Sequence, residues 1–409
     1  MKPGTSLYLD LVRFAAALTV FIEHLREHTK IGFAAFWAAH PFWYSHWDLF
    51  SQTAVTVFFV LSGYVIAHVL ATRERTPVDY AAARLARLYS VVLPALLLTA
   101  VCNYLMELRY PTAFEAFQSG GITGVALSYL GTSVFVNRFW LWPDLDVPNT
   151  PFWTLSFETF YYLAIAILVF ARGRGRILSI LVLVLMAGPS MVLLAPTWLL
   201  GYLAYNVSRR RQAGARSAIP VWLFGLIWVI GLALLPLCSF IEIYFRESLS
   251  FLRTPDHTIG ALLAAYAAAT CFAINVLAFN AFSERAEPFL VPIAAIIRWL
   301  GSMTFALYLF HQPILSLFTV YHVPDRSSAA QLVLLIGGTF LVVATLGRFC
   351  ENTKGAYKRS LLAAWRFIAS RAATLDLARP SQLNLASQLN LERPTPAVAS
   401  LRRPGETSE

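Results

Sequence analysis

Apolar residues along this chain come in long unbroken runs. They show neither the alternation of a half-buried strand nor the single stripe of a soluble amphipathic helix. The runs lie near 6–26, 50–72, 87–107, 152–171, 176–194, 196–208, 219–240, 258–281, 298–320 and 329–350. A helix needs about 20 apolar residues to cross a hydrocarbon layer about 30 Å thick. The pattern therefore predicts an all-α polytopic membrane protein with about ten transmembrane helices. Pro189 and Pro196 divide the fifth and sixth runs, which read either as one broken pair or as a re-entrant segment. A weaker run at 122–136 fits an interfacial helix or an extra span.

Composition agrees with lipid as solvent. The 409 residues are 58% hydrophobic and 13% charged, against about 45–50% and about 25% in soluble domains. The net charge of +10 does not indicate nucleic acid, because no recognition motif accompanies it. The basic residues cluster in short loops and in the C-terminal segment. With the N-terminus placed in the cytoplasm, fourteen Lys and Arg fall in inner segments and seven in outer loops, and ten more follow from Arg348 onward. Both termini are thus expected to be cytoplasmic. The four cysteines, Cys102, Cys238, Cys271 and Cys350, have no CxxC spacing, so neither a metal site nor a disulfide framework is expected. No small-residue cleavage site follows the first run, which reads as a retained helix. The segment 108–150, with Trp140, Trp142, Pro143 and Pro148, suits an aromatic belt at the headgroups better than a sugar-binding surface. Residues 1–351 form the transmembrane domain. From 352 the chain becomes low in complexity, with Ser381-Gln-Leu-Asn-Leu-Ala nearly repeated from Ser387, and a cytoplasmic, mostly disordered tail is expected.

Ionisable groups inside a membrane are expensive, so each is a candidate for function. The first helix carries Asp10, Arg13 and His24. Eleven residues at 100° each bring His24 to within about 20° of Arg13, about 16 Å further along. Asp10, three residues before Arg13, shares that face. Such a stripe suits an extended donor with a phosphate end and a reactive thioester end. Arginine would hold phosphate, and histidine would act as general base on an attacking hydroxyl. The competing reading is that Arg13 snorkels and pairs with Asp10 while His24 caps a helix end.

The segment Asp10-Leu-Val-Arg13-Phe-Ala-Ala-Ala-Leu-Thr-Val-Phe-Ile-Glu-His24 resembles the opening motif of acyltransferase family 3, an Arg or Lys, ten residues, then His. Four further stretches resemble that family's motifs in order: Phe58-Phe-Val-Leu-Ser62-Gly63-Tyr64; Arg84-Leu-Ala-Arg87 followed by Pro94; Trp153-Thr-Leu-Ser-Phe-Glu158-Thr-Phe-Tyr161; and Tyr308-Leu-Phe-His311-Gln-Pro313. The likeness spans about 1–351 and departs at Glu351-Asn-Thr-Lys354, where the family often has a proline.

The resemblance implies a bacterial inner-membrane O-acyltransferase acting on carbohydrate. It implies His24 as catalytic base and Arg13 as the residue that positions the donor, with Asp10 beside it. It places Arg84 and Arg87 where the phosphates of acyl-CoA would arrive, although the inside excess of basic residues also accounts for that pair. Glu158, about two turns into a helix starting at Pro151 and capped by Thr150 or Asn149, is expected at the site. It would orient the histidine, bind the acceptor or pair with an arginine. Tyr308 and His311 are expected to contact substrate or to make structural hydrogen bonds. Ser62-Gly63 reads as a close-packing point, since no G-x-S-x-G elbow surrounds it. The expected donor substrate is acetyl-CoA or another acyl-CoA, with no bound cofactor and no metal. The expected partners are a carbohydrate or lipid-linked glycan acceptor and membrane lipid. A transporter or flippase of a lipid-linked glycan is the alternative, weakened because the two halves of the chain show no clear similarity.

Overall fold

The computed structural model describes residues 1–29, 41–111, 121–142, 146–213, 220–246, 258–321 and 329–377. Among these residues the chain is helical, with no strand. The helices are α1 (Pro3–Thr29), α2 (Pro41–Thr72), α3 (Pro77–Arg109), α4 (Gly121–Ser133), α5 (Trp153–Phe170), α6 (Gly173–Ala187), α7 (Pro189–Ala213), α8 (Val221–Cys238), α9 (Phe240–Arg246), α10 (Ile259–Leu290), α11 (Ala294–Tyr321) and α12 (Ala329–Leu377). The chain divides into a unit at Met1–Leu361 and a second at Leu362–Glu409. In the second unit residues 362–377 are helical. The helix thus continues past residue 352, where the sequence suggests a tail begins. Residues 378–409, and with them the repeat at Ser381, lie outside the described residues, as does Pro143.

Eight stretches of the described residues are long and apolar enough to cross a membrane. One of them, Ile259–Tyr321, is 63 residues long and holds both α10 and α11. Its contacts with α1 show that it crosses twice. Gly4, at the start of α1, abuts Ser283 and Glu287 near the end of α10, while Asp10 abuts Gly301 near the start of α11. α10 therefore runs antiparallel to α1, and α11 runs parallel to it. The protein is an all-α polytopic membrane protein.

The pair at 176–208 resolves into α6 and α7. The break falls at Gly188, whose φ of +88° is a backbone state open to glycine, followed by Pro189 at the first position of α7. Pro196 lies inside α7 and does not interrupt it. At 15 residues α6 is only about 22 Å long. The weak run near 122–136 becomes the 13-residue helix α4, about 20 Å long and too short to span.

The first unit is built around α1, α2, α10 and α11, with α3 against α11, α7 against α2 and α10, and α8 against α10. Glycines set the closest approaches, as small residues do between membrane helices. A Cβ on Gly63 of α2 would sit 2.0 Å from the Trp198 carbonyl oxygen, and one on Gly201 of α7 would sit 1.9 Å from the Val60 carbonyl oxygen. Both clashes are with backbone, which cannot rotate aside. A polar cluster joins α1, α8 and α10: the Tyr8 hydroxyl donates to Asn275 Oδ1, and Asn275 Nδ2 donates to the Trp228 carbonyl at 2.7 Å.

Gly201→Val is expected to force α7 off α2 and lower the thermal transition in detergent. Overpacking on this scale costs about 1–3 kcal/mol or more. Gly338→Ala in α12, where an added Cβ meets nothing within 4 Å, should leave the transition unchanged. Equal behaviour of the two variants would disprove the close crossing.

Candidate active site

Segments of five helices meet at one cavity. Arg13 enters from α1, Phe58 and Ser62 from α2, Arg84 and Arg87 from α3, Thr154, Glu158 and Tyr162 from α5, and Thr304, Phe305 and Tyr308 from α11. The cavity is small, about 70 Å³. A second cavity of about 260 Å³ adjoins it and shares Arg13, Arg87 and Phe305 as wall. Asp10, Arg298, Glu351 and Lys354 also line this second cavity.

The charged groups divide into neutralised and open ones. Arg84 Nη2 bonds Glu74 Oε1 at 2.6 Å, and both side chains are about nine-tenths buried. The Arg84 guanidinium also lies 5.8 Å and 5.9 Å from the ring centres of Tyr80 and Tyr162, within cation–π range. Arg13 Nη1 lies 3.4 Å from Asp10 Oδ1, and Lys354 pairs with Glu351. The guanidinium groups of Arg87 and Arg298 make no hydrogen bond or ion pair with any described residue; the Arg87 carbonyl accepts from Ser90 Oγ at 3.2 Å. With four cations and two carboxylates on its wall, the second cavity has a surplus of positive charge and is suited to a phosphate-bearing ligand.

Glu158 is held by its own helix and by α2. The Tyr162 hydroxyl, one turn on, donates to Glu158 Oε1. Ser62 Oγ donates to the same oxygen at 3.1 Å, and Trp198 Nε1 of α7 donates to Ser62 Oγ at 3.2 Å. Ser62 thus relays a bond from α7 to α5 and is not poised as a nucleophile. Asn149 precedes a 3-10 turn at Thr150–Phe152 that opens onto α5, and its side chain makes no capping bond. It cross-links helices instead: Nδ2 donates to Thr99 Oγ1 at 2.9 Å and to the Leu309 carbonyl at 3.0 Å. That carbonyl lacks its helical partner because Pro313, four residues on, has no N–H.

His24 lines neither cavity. Its Nδ1 lies 2.7 Å from Nε2 of His311, and the two rings lie end to end and nearly coplanar, with centres 5.0 Å apart and planes 17° apart. His311 is fully buried, with its Nδ1 2.7 Å from the Leu307 carbonyl oxygen and Phe21 edge-on at 5.9 Å. Tyr308, one turn before His311, faces the first cavity. The structure therefore brings Arg13, Arg84, Arg87, Glu158 and Tyr308 together, sets Asp10 on the adjoining wall, and places His24 with His311 further along the same two helices. It does not bring Glu158 into contact with His24.

One cavity gathers residues from all five motif segments, and the cavity beside it carries more basic than acidic side chains. The acyltransferase family 3 model, described as an acyltransferase domain, matches residues 6–348. The chain belongs to acyltransferase family 3. It is a multi-pass membrane acyltransferase. No curated protein and no solved structure gave a match.

Four residues of the site were not legible as such in the sequence. Glu74 reads as loop charge between Arg73 and Arg75, Arg298 as one of the inner basic residues, Lys354 as part of the tail, and Tyr162 as one more aromatic in an apolar run. The signal for Glu74 is its position ten residues before Arg84, on the far side of a helix start capped by Thr76, which lets the chain turn back on itself. Tyr162 lies four residues after Glu158, a same-face spacing.

Glu74→Ala would leave the Arg84 guanidinium buried without its carboxylate. Breaking such a pair from one side costs about 3–5 kcal/mol, so the thermal transition should fall sharply. Arg87→Ala, which breaks no ion pair among the described residues, should not lower it. A Glu74→Ala protein as stable as the parent would show that the pair is not closed in the membrane.

Proposed function

We propose that this acyltransferase moves an acyl group, expected to be acetyl, from cytoplasmic acyl-CoA to a carbohydrate hydroxyl at the outer face of a bacterial inner membrane. The observation that carries this reading is the layout of α1. Arg13 lies in the wall shared by both cavities, and His24 lies about 16 Å further along the same helix. The polyphosphate of the donor would sit in the second cavity against Arg87, Arg298 and Lys354. The pantetheine arm would pass Arg13 and Phe305 into the first cavity, carrying the thioester toward His24. Both termini would then be cytoplasmic, in keeping with the loop charges.

In this scheme His24 removes the proton from the acceptor hydroxyl as its oxygen attacks the thioester carbonyl. Donors such as arginine or backbone N–H groups would hold the oxyanion that forms. Glu158, fixed by Ser62 and Tyr162, would shape the passage and bind the donor arm or the acceptor. Arg84, neutralised by Glu74, would act mainly in assembling the wall. The acceptor class, a surface glycan or a lipid-linked glycan, follows from the family resemblance and not from the cavity.

His24→Ala is expected to abolish acyl incorporation while expression and thermal stability stay near those of the parent. Loss of a general base costs about 10²–10⁴-fold in rate. The measurement is mass spectrometry of cell-surface glycans, with and without the gene and with the variant, for one acyl unit of mass. An unchanged acyl signal in the variant would rule out His24 as the base.

A further inference from the structure

The bonds around His311 fix where the protons of the histidine pair sit. His311 Nδ1 is 2.7 Å from the Leu307 carbonyl oxygen. A carbonyl only accepts, so this nitrogen carries hydrogen. His311 is 0% exposed and has no carboxylate partner among the described residues, so it is a neutral imidazole, because an unpaired charge there would be costly. Its Nε2 is therefore a lone pair. His24 Nδ1 stands 2.7 Å from that lone pair, and one of the two nitrogens must donate. The hydrogen belongs to His24 Nδ1, and the neutral His24 ring is left with its lone pair on Nε2.

We infer that His311 is a positioning residue that locks His24 in the Nδ1–H tautomer and aims a basic Nε2 at the acceptor hydroxyl. This rests on the proposed role of His24 and replaces a substrate contact for His311, which lines neither cavity. His24 Nε2 takes the hydroxyl proton while the acceptor oxygen bonds the acyl carbon. The C–S bond then breaks, and the thiolate takes that proton back from Nε2 to leave as CoA thiol. Throughout, His24 Nδ1–H stays bonded to His311 Nε2, a bond that strengthens while His24 is an imidazolium because its donor is then charged. His311 ends the cycle with the protons it began with. The same role falls to a carboxylate in hydrolase triads. Here a neutral acceptor performs it, which avoids placing a bare anion in the bilayer. The Leu307 carbonyl and the edge of Phe21 hold His311 against rotation, so the tautomer is set by rigid helix backbone.

The test is ¹⁵N spectroscopy of histidine-labelled full-length protein in lipid nanodiscs, with the two rings assigned from His24→Ala and His311→Phe. Both rings should show hydrogen on Nδ1 and an unprotonated Nε2 in the parent. In His311→Phe the His24 signature should vanish and the transfer rate should fall at least about 100-fold, in line with a misplaced general base, with the donor KM unchanged. His311→Gln, whose amide oxygen can still accept from His24 Nδ1, should recover part of that rate. A parent spectrum with hydrogen on His24 Nε2, or full transfer by His311→Phe, overturns the inference. The spectrum is read without turnover. Retained activity in His24→Ala would thus defeat the proposed function, while the tautomer assignment would still stand or fall on the spectrum.

Discussion

The parallel packing of α11 on α1 is the constraint on which the rest of the site depends. Gly301 admits the side chain of Asp10, His311 meets His24, and Thr319 meets His28 at 3.1 Å, so contacts advance together along both helices. A larger residue at 301 would displace the start of α11 and with it every later contact. Because the two helices keep step, the face of α1 that carries Arg13 looks into the space lined by Phe305 and Tyr308. The same face, three turns on, presents His24 to His311. Two positions separated along one helix are thus fixed by a neighbour that carries matching groups.

Hydrogen bonds between helices supply what apolar contact alone cannot in a membrane, where lipid packs against a helix about as well as another helix does. Asn275 ties α1 to α8 and α10. Asn149 ties α3 to α11 through the carbonyl that Pro313 leaves open. The chain from Trp198 through Ser62 to Glu158 ties α7, α2 and α5. Interhelix bonds of this kind are worth about 0.6 kcal/mol on average. Their larger effect is on register, since a one-residue slip leaves a buried polar atom unpaired, at a cost of about 1–3 kcal/mol.

Much of the fold was legible because length and hydropathy alone decide whether a helix spans. The stripe on α1 was legible because 3.6-residue periodicity puts Arg13 and His24 on one face, and the motif stretches pointed to residues that do meet. What escaped the sequence depends on contacts between helices. Pro189 and Pro196 look equivalent along the chain, yet only the first follows a glycine at positive φ. Asn149 reads as a cap and is a cross-link. Glu158 reads as a group that orients the histidine, binds the acceptor or pairs with an arginine, and nothing in the sequence shows that Ser62 and Tyr162 hold it. Arg298 and Lys354 look like topology signals until α11 and α12 bring them to the wall beside Arg13. Such convergence is set by glycine contacts such as Gly347 on Met303 and Ala306, which no hydropathy profile encodes.

The difference between the arginines bears most directly on purpose. Arg84 is buried and its charge is matched by Glu74, as that of a cation kept for structure should be. Arg87, one turn further on, borders both cavities and pairs with no described residue. Arg298 lines the second cavity alone and is exposed. A bundle selected for stability alone would place a carboxylate beside Arg87 or dispense with that cation, because partly buried unpaired charge raises the energy of the fold. Under the proposed function an arriving polyphosphate would relieve that cost, and the stability forgone there would return as affinity for the donor. Under the proposed function the cavity lined by α1, α3, α11 and α12 would hold the donor's anionic end, and the matched Arg84–Glu74 pair beside it would keep that wall in place.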